Sequence, residues 1–424
     1  MKILWCVNQF PAEIALTLGL SAYYGGGWVG ALRDQLIGNG VVSLTLATVY
    51  EGATVEKKRI QGVEYVLVPG GRAAKQRYNK AVQHGWRQIV NDIMPDVVHI
   101  HGTEYAHSLA LVRSLGRIPC VVSLQGLLGE CAKHYHGGIA WWRLLGTRTL
   151  RDNLMLDGVF EQQRKMQKRA KYEVSLLNEV QHIIGRTTWD YAVTKAINSK
   201  LNYHIGQELL RDPFYAGAWD VTTIERHSIY ASQAVYPLKG LHFLIEAIAI
   251  VKRFCPHVKL YVGGPDTVNP GSKYGISRQS GYGRYLRETI TRLELRDNIV
   301  FTGPLSAQAV KERLLKSHVF CSPSLIENSP NSLAEAMMLG VPVIATYVGG
   351  VPDMVRHGES GFLVPPADPL LLAEYILHVF DSSTMASTLG RIAQEVAMQR
   401  HDRNLVLGQT IDTYRKIIDS KGER

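Results

Sequence analysis

Residues 322–370 read SPSLIENSPNSLAEAMMLGVPVIATYVGGVPDMVRHGESGFLVPPADPL. The run HVFCSPS, ending at Ser324, predicts a buried strand, and ENSP predicts the turn that follows it. SLAEAMMLG, from Ser332 to Gly340, predicts a helix that Gly340 stops. Glu327 then sits on the strand-to-helix loop, and Glu335 sits in the first turns of the helix. Between them lie Ser329, Pro330, Asn331 and Ser332, where backbone N–H groups leave the helix N-terminus. Those donors and the helix dipole favour an anion. A diphosphate fits at such a tip, with a carboxylate beyond each end to take sugar hydroxyls.

The rest of the chain predicts two domains of one kind. At 424 residues it exceeds one ordinary core, and 46% hydrophobic residues suffice for two. Strand patterns alternate with helical ones, which predicts parallel sheets with crossover helices. KILWCVN, 42–49, 63–70, 96–102, 120–126 and 179–187 read as strands of the first domain, the last closing it. The stretch 209–223 mixes Pro, Gly and aromatics and reads as a linker. HSIYASQ, VKLYVGG, NIVFTGP, SHVFCSPS and VPVIATYVGG repeat the rhythm in a second domain. SKYGISRQSGYGRY, 272–285, reads as a mobile polar insertion. The expected boundaries are 1–215 and 216–402, with a return helix at about 403–424 crossing back to the first domain.

Charge and cysteines narrow the class. No run of about eighteen apolar residues predicts a membrane span, and MKILWCVNQFPAE has no signal-peptide core. Five cysteines without metal-ligand spacing fit a reducing cytoplasm. The net charge of +10 gathers at Lys57, Lys58, Arg59, Arg72, Lys75, Arg77 and Lys80, and again at 164–171. Solvated faces explain such clusters, as does attraction to anionic phospholipid at the inner face of the membrane. No aromatic–basic interleave of the RNA-binding kind occurs, so nucleic acid is not an expected partner.

The block from Glu327 to Asp353 resembles the donor signature of retaining glycosyltransferase family 4, whose fold is called GT-B. Its parts are Glu327, Glu335, the strand Gly340–Ala345 and the turn Gly349–Asp353. The resemblance implies an α/β chain of two Rossmann-like parallel-sheet domains facing across a cleft. It implies transfer of a sugar, with retention, from a UDP- or GDP-linked donor, without cofactor or metal. The acceptor expected is a glycan or lipid-linked oligosaccharide, in bacterial surface-polysaccharide synthesis. GRTTWDYA and Gln125 look like the polysaccharide-cluster branch.

The resemblance also assigns residues. Glu327 meets the donor sugar, Glu335 the ribose, and Ser329, Asn331, Ser332 and Leu333 the phosphates at the helix tip. Lys239, in YPLKG, matches the lysine that neutralises the leaving diphosphate. The family usually adds a Gly-Arg shortly before it, where this chain has Ser232, Gln233 and Ala234. Arg186, ending HIIGRT, is the expected replacement cation. Gly25, Gly26 and Gly27 resemble a first-domain loop that approaches the donor phosphate closely, and Gly303 in FTGPL lies where the base is selected. His101 shares a strand face with His99, and lies nearer the ligand end. Gln125 stands where the family commonly has a histidine; it donates the same hydrogen bond but does not titrate. Glu104, His107, Glu130, His134 and Tyr135 are expected in loops on the acceptor side.

Each assignment has a plainer rival. A Glu at a helix start, a surface lysine, a flexible Gly run and a packed core histidine need no ligand. The missing arginine and histidine keep a second reading open, a non-catalytic member that binds a nucleotide sugar or scaffolds an assembly. A sugar-nucleotide epimerase on the same fold would lack the paired glutamates.

Overall fold

Alternation along the first strand dictates a layered fold. In Lys2–Val7 (β1), Ile3, Trp5 and Val7 enter one apolar cluster, and Leu4 and Cys6 enter another. A strand apolar on both faces must be covered on both, which crossover helices accomplish. The computed structural model describes every residue except 21–26, 233–234, 274–275 and 423–424. It divides into two compact units, Met1–Gly129 with Lys165–Leu210 and His401–Arg424, and Glu130–Arg164 with Arg211–Arg400.

The first unit holds β2 (Ser43–Tyr50), β3 (Glu56–Ile60), β4 (Val63–Pro69), β5 (Val97–His101), β6 (Cys120–Ser123), β7 (His182–Gly185) and β8 (Asn202–Ile205). With β1 they form an eight-stranded sheet ordered β3-β4-β2-β1-β5-β6-β7-β8, in which only the β3–β4 pair is antiparallel. The order reverses between β1 and β5, the place where such sheets open a ligand crevice. The strand β3 was not expected, because EKKRI reads as a charge cluster. Its Lys57, Lys58 and Arg59 are exposed on the sheet edge, where charge blocks pairing with another chain. HIIG does not close the sheet either; β8 adds an outer strand. The last helix, Arg403–Gly422, packs Val406, Ile411, Tyr414 and Ile417 into the cluster that holds Trp5.

The second unit holds β9 (Ser228–Ala231), β10 (Lys259–Val262), the hairpin β11 (Ser272–Lys273) and β12 (Ile276–Ser277), β13 (Ile299–Phe301), β14 (Val319–Ser322), β15 (Val343–Thr346) and β16 (Phe362–Val364). Six of them make a parallel sheet, β13-β10-β9-β14-β15-β16, whose order reverses between β9 and β14. Two expectations change here. The stretch 209–223 is no free linker: Phe214 is fully buried, and Trp219 donates from its backbone N to the Leu339 carbonyl at 2.8 Å and from Nε1 to Ser317 at 2.7 Å. The Gly-rich end of 272–285 is a helix start capped by Ser280, with Tyr282 and Tyr285 buried. Its glycines serve close packing, since a Cβ on Gly283 would lie 2.0 Å from the Thr267 carbonyl oxygen.

Residues 130–164, expected in the first domain, belong to the second unit. Ile139 and Leu144 enter its core, Gly137 accepts from His242 at 2.8 Å, and Asp152 accepts from the Gly281 amide at 2.8 Å. Among the described residues, no helix is long and apolar enough to cross a membrane.

Buried histidines make stability depend on pH. Burial pushes His99 and His107 down to about 3, and His242 and His318 to about 4; His101 falls well below its ordinary 6.5. Between pH 6.5 and 4 the unfolded chain therefore binds protons that the fold refuses, and stability falls with pH. Burial raises Glu173 to about 7, and raises Glu104 and Glu335, so these carboxyls act in the opposite sense. The five histidines outnumber them. The thermal midpoint should drop by roughly 5 °C or more between pH 6.5 and 5, read by circular dichroism; a flat midpoint would contradict this.

Candidate active site

The reversal of strand order in the second unit places two loops side by side. One follows β9 and carries Lys239; the other follows β14 and carries Glu327. Backbone contacts zip them together. The Leu325 amide donates to the Leu238 carbonyl at 2.9 Å. Gly240 lies at φ +69, and a Cβ there would sit 1.9 Å from the Pro323 carbonyl oxygen. The glycine after the lysine is thus fixed by close approach, not by flexibility.

The side chains complete the join. Lys239 Nζ pairs with Glu327 Oε1, which also accepts from Ser324 Oγ at 2.8 Å. Burial works against the Lys239 charge, but Glu327, joined by Tyr236 and Cys131, outweighs it and raises the lysine pKa. The lysine is therefore a fixed cation at the ligand end of the sheet. Glu327 is fixed through its backbone as well. Its carbonyl accepts from the Gly350 amide at 3.0 Å, and a Cβ on Gly349, at φ +51, would lie 1.9 Å from that oxygen.

The helix spans Asn331–Met338, one position earlier than expected. Pro330 precedes it and offers no side-chain cap. Ser329 is buried, with Oγ donating to Met354 Sδ at 3.6 Å and accepting from Arg400 Nη2 at 3.4 Å. Leu333 lies in the first turn of the helix. Its amide donates to the Pro330 carbonyl at 3.0 Å and its side chain is fully buried. Glu335 is 4% exposed and receives a bidentate pair from Arg211, Nε to Oε1 and Nη2 to Oε2, both 2.7 Å. Burial raises its pKa against the pull of that arginine. Gly303 lies two residues after β13 at φ +72, its carbonyl accepting from the Gly264 amide at 3.1 Å.

In the first unit, Arg186 is not a free cation. It is 6% exposed, pairs with Glu208 Oε2 at 2.7 Å, and donates to the carbonyls of Leu124 and Gln125 at 2.9 and 3.1 Å. A guanidinium compensated in this way has little charge left for a phosphate. Gln125 Nε2 donates to the other Glu208 oxygen at 2.6 Å, so one carboxylate sets both side chains. His101 lies between rings, 4.4 Å from Trp5 and 3.8 Å from His99 between centroids. Burial keeps it neutral at physiological pH. His99 bonds Tyr414 OH and Ser123 Oγ, each at 2.6 Å. Gly27 opens the helix Gly27–Asn39, while Gly25 and Gly26 lie outside the described residues, as do Gln233 and Ala234.

Other loop expectations shift too. His107 is buried beside Cys6, and Glu104 accepts from Asn8 Nδ2 at 3.0 Å. Glu130, His134 and Tyr135 belong to the second unit, where Tyr135 stacks on Tyr236 at 6.0 Å. The reading of the sequence missed Arg211, Arg400 and Glu208. No spacing rule links Arg211 to Glu335, 124 positions away. No group of three or more His, Cys, Asp or Glu able to hold a metal occurs among the described residues.

Comparison with known proteins places this geometry. Residues 225–396 match the model of the family described as glycosyl transferases group 1. A putative colanic acid biosynthesis glycosyltransferase of Salmonella typhimurium is 32% identical over 167 residues, 38% of either chain. A D-inositol 3-phosphate glycosyltransferase of Streptomyces avermitilis is 28% identical over 159 residues, 38% of this chain and 33% of that one. The matches thus span well under half the length of these relatives. Among solved structures, sucrose-phosphate synthase from Thermosynechococcus elongatus aligns with a TM-score of 0.72 at 16% identity, covering 99% of this chain and all of the other. Anabaena HepE in complex with UDP-glucose aligns at 0.66 and 16%, covering 98% and 100%. At such identities the structures show the fold, two Rossmann-like parallel-sheet domains of the GT-B class. The sequence matches show likeness to group 1 glycosyl transferases over residues 225–396.

The Gly349 contact yields a direct test. Gly349→Ala must push the Glu327 backbone aside and occupy a strained φ, at a cost of about 1–3 kcal/mol. Chemical denaturation should show that loss. A wild-type value would contradict the clamp.

Proposed function

We propose that this chain is a retaining glycosyltransferase that moves a sugar from a nucleoside-diphosphate sugar to a glycan or lipid-linked oligosaccharide. The observation that carries the proposal is the Lys239–Glu327 pair at the strand-order reversal, beside a helix start that carries Glu335. The Salmonella and Streptomyces relatives are named as glycosyltransferases, and the Anabaena neighbour holds UDP-glucose. The relatives named for colanic acid biosynthesis motivate a role in surface-polysaccharide synthesis, which this proposal sets at the inner face of the membrane on the basic clusters of the sequence.

In this reading the donor diphosphate lies at the amide end of Asn331–Met338. Lys239 turns from Glu327 toward the departing phosphate, and the helix dipole adds to its field. Glu335, aimed by Arg211, accepts from the ribose hydroxyls with its remaining lone pairs. Glu327 orients the sugar and offsets positive charge at the anomeric carbon. The acceptor hydroxyl attacks from the face the diphosphate leaves, and the departing phosphate oxygen takes the proton. Retention follows without a covalent sugar–enzyme intermediate, the alternative that needs a carboxylate on the opposite face. Lys239 and the helix amides perform the charge neutralisation that other transferases assign to a metal, so chelators should leave turnover intact.

The experiment is nucleotide release from UDP- and GDP-sugars, with and without EDTA. Lys239→Ala should lower turnover by about 10²–10³ with little change in donor affinity. Glu335→Gln should chiefly raise the donor KM. Tight donor binding with no release from any sugar nucleotide, with or without an acceptor extract, would favour the non-catalytic reading instead.

A further inference from the structure

The segment 139–164 of the second unit wears its apolar residues on the outside. The helix Trp141–Gly146 exposes Trp141 by 61%, Trp142 by 62% and Leu145 by 47%. The helix Leu150–Met155, with Leu156 after it, exposes four more large apolar side chains, each by more than 60%. What the second helix buries is its acid: Asp152 is 1% exposed and accepts from the Thr149 and Gly281 amides. The usual inside-out order is inverted.

The segment is anchored. Leu144 and Ile139 sit in the core of the unit, and Thr149 forms a capping box and donates to the Gln279 carbonyl at 3.0 Å. The apolar surface is therefore held outward by a fixed scaffold. An exposed apolar patch of this concentration marks an interaction surface.

Charge selects the partner. The acids of the segment are all compensated: Asp152 as above, Asp157 by a bidentate Arg151 at 2.8 and 2.7 Å, and Glu161 by Arg148 at 2.7 Å. Arg143, between the tryptophans and Leu145, and Arg164 are exposed, and each feels an acid only through space, Arg143 that of Glu246 and Arg164 that of Glu161. Adjacent exposed tryptophans beside an exposed arginine suit a lipid headgroup boundary, where rings sit at the interface and guanidinium groups meet phosphate. Each helix has six residues and is about 9 Å long, so it lies on a bilayer and does not cross it.

We infer that the face formed by Trp141–Leu156 docks the protein on an anionic phospholipid surface. The inference deepens the membrane setting proposed above and rests on that setting, not on the transfer chemistry.

Vesicle sedimentation of the full chain tests it. Wild-type protein should sediment with phosphatidylcholine vesicles containing about a third phosphatidylglycerol, and less with phosphatidylcholine alone. The variant Trp141→Ser/Trp142→Ser/Leu154→Ser should lose at least about tenfold in partition, with its circular dichroism and donor hydrolysis unchanged. Arg143→Glu should weaken only the anionic binding. Partition unchanged in the triple variant, or none by the wild type, overturns the inference. So does a wild-type dimer in light scattering that the triple variant dissolves, which would assign the face to a second copy. Vesicle binding without donor hydrolysis would instead sink the proposed transfer and leave this surface standing.

Discussion

A lysine at the end of one strand meets a glutamate at the end of its neighbour, and the second unit is arranged around that meeting. Lys239 and Glu327 come from points 88 residues apart. Only the reversal of strand order between β9 and β14 makes their loops adjacent. Three glycines then set the distances: Gly240 against Pro323, and Gly349 and Gly350 against the Glu327 carbonyl. Each lies where a side chain or a shifted amide would break the arrangement. The site is thus fixed by backbone first and charge second.

The two glutamates of the block are held in different ways. Glu327 has a half-buried lysine as partner, a pair that can open when a more negative group arrives. Glu335 is locked by a two-pronged guanidinium, which favours planar geometry and a fixed orientation. In the proposed reaction that difference lets Lys239 leave Glu327 for the diphosphate while Glu335 keeps its orientation toward the ribose. In the first unit, Glu208 plays a comparable organising part by setting both Arg186 and Gln125. Burial keeps the tilted rings of His99 and His101 neutral, and His99 is tied to Tyr414 on the final helix.

Much of this was legible in the sequence because it is written locally. Strand and helix periods, the stop at Gly340 and the K-G before an apolar helix are short-range signals, and each corresponds to a feature of the fold. What failed to show was written at long range. EKKRI hid an edge strand because its charges answer to the sheet edge, not to a core. The Gly-rich run 272–285 suggested motion, whereas close packing on Asp152 and Thr267 requires Gly281 and Gly283. Arg186 looked like a free cation because Glu208, its partner, carries no pattern. Arg211 was taken for linker, although Glu335 consumes its charge. The placement of 130–164 in the second unit rests on contacts to Gly281 and His242, which no local window contains.

The most direct measurement is a crystal structure with uridine or guanosine diphosphate bound. The account predicts the distal phosphate on Lys239 Nζ and the first-turn amides of Asn331–Met338, with Glu335 within hydrogen-bond reach of the ribose. Diphosphate bound elsewhere, with Lys239 still on Glu327 and the helix start bare, would contradict it.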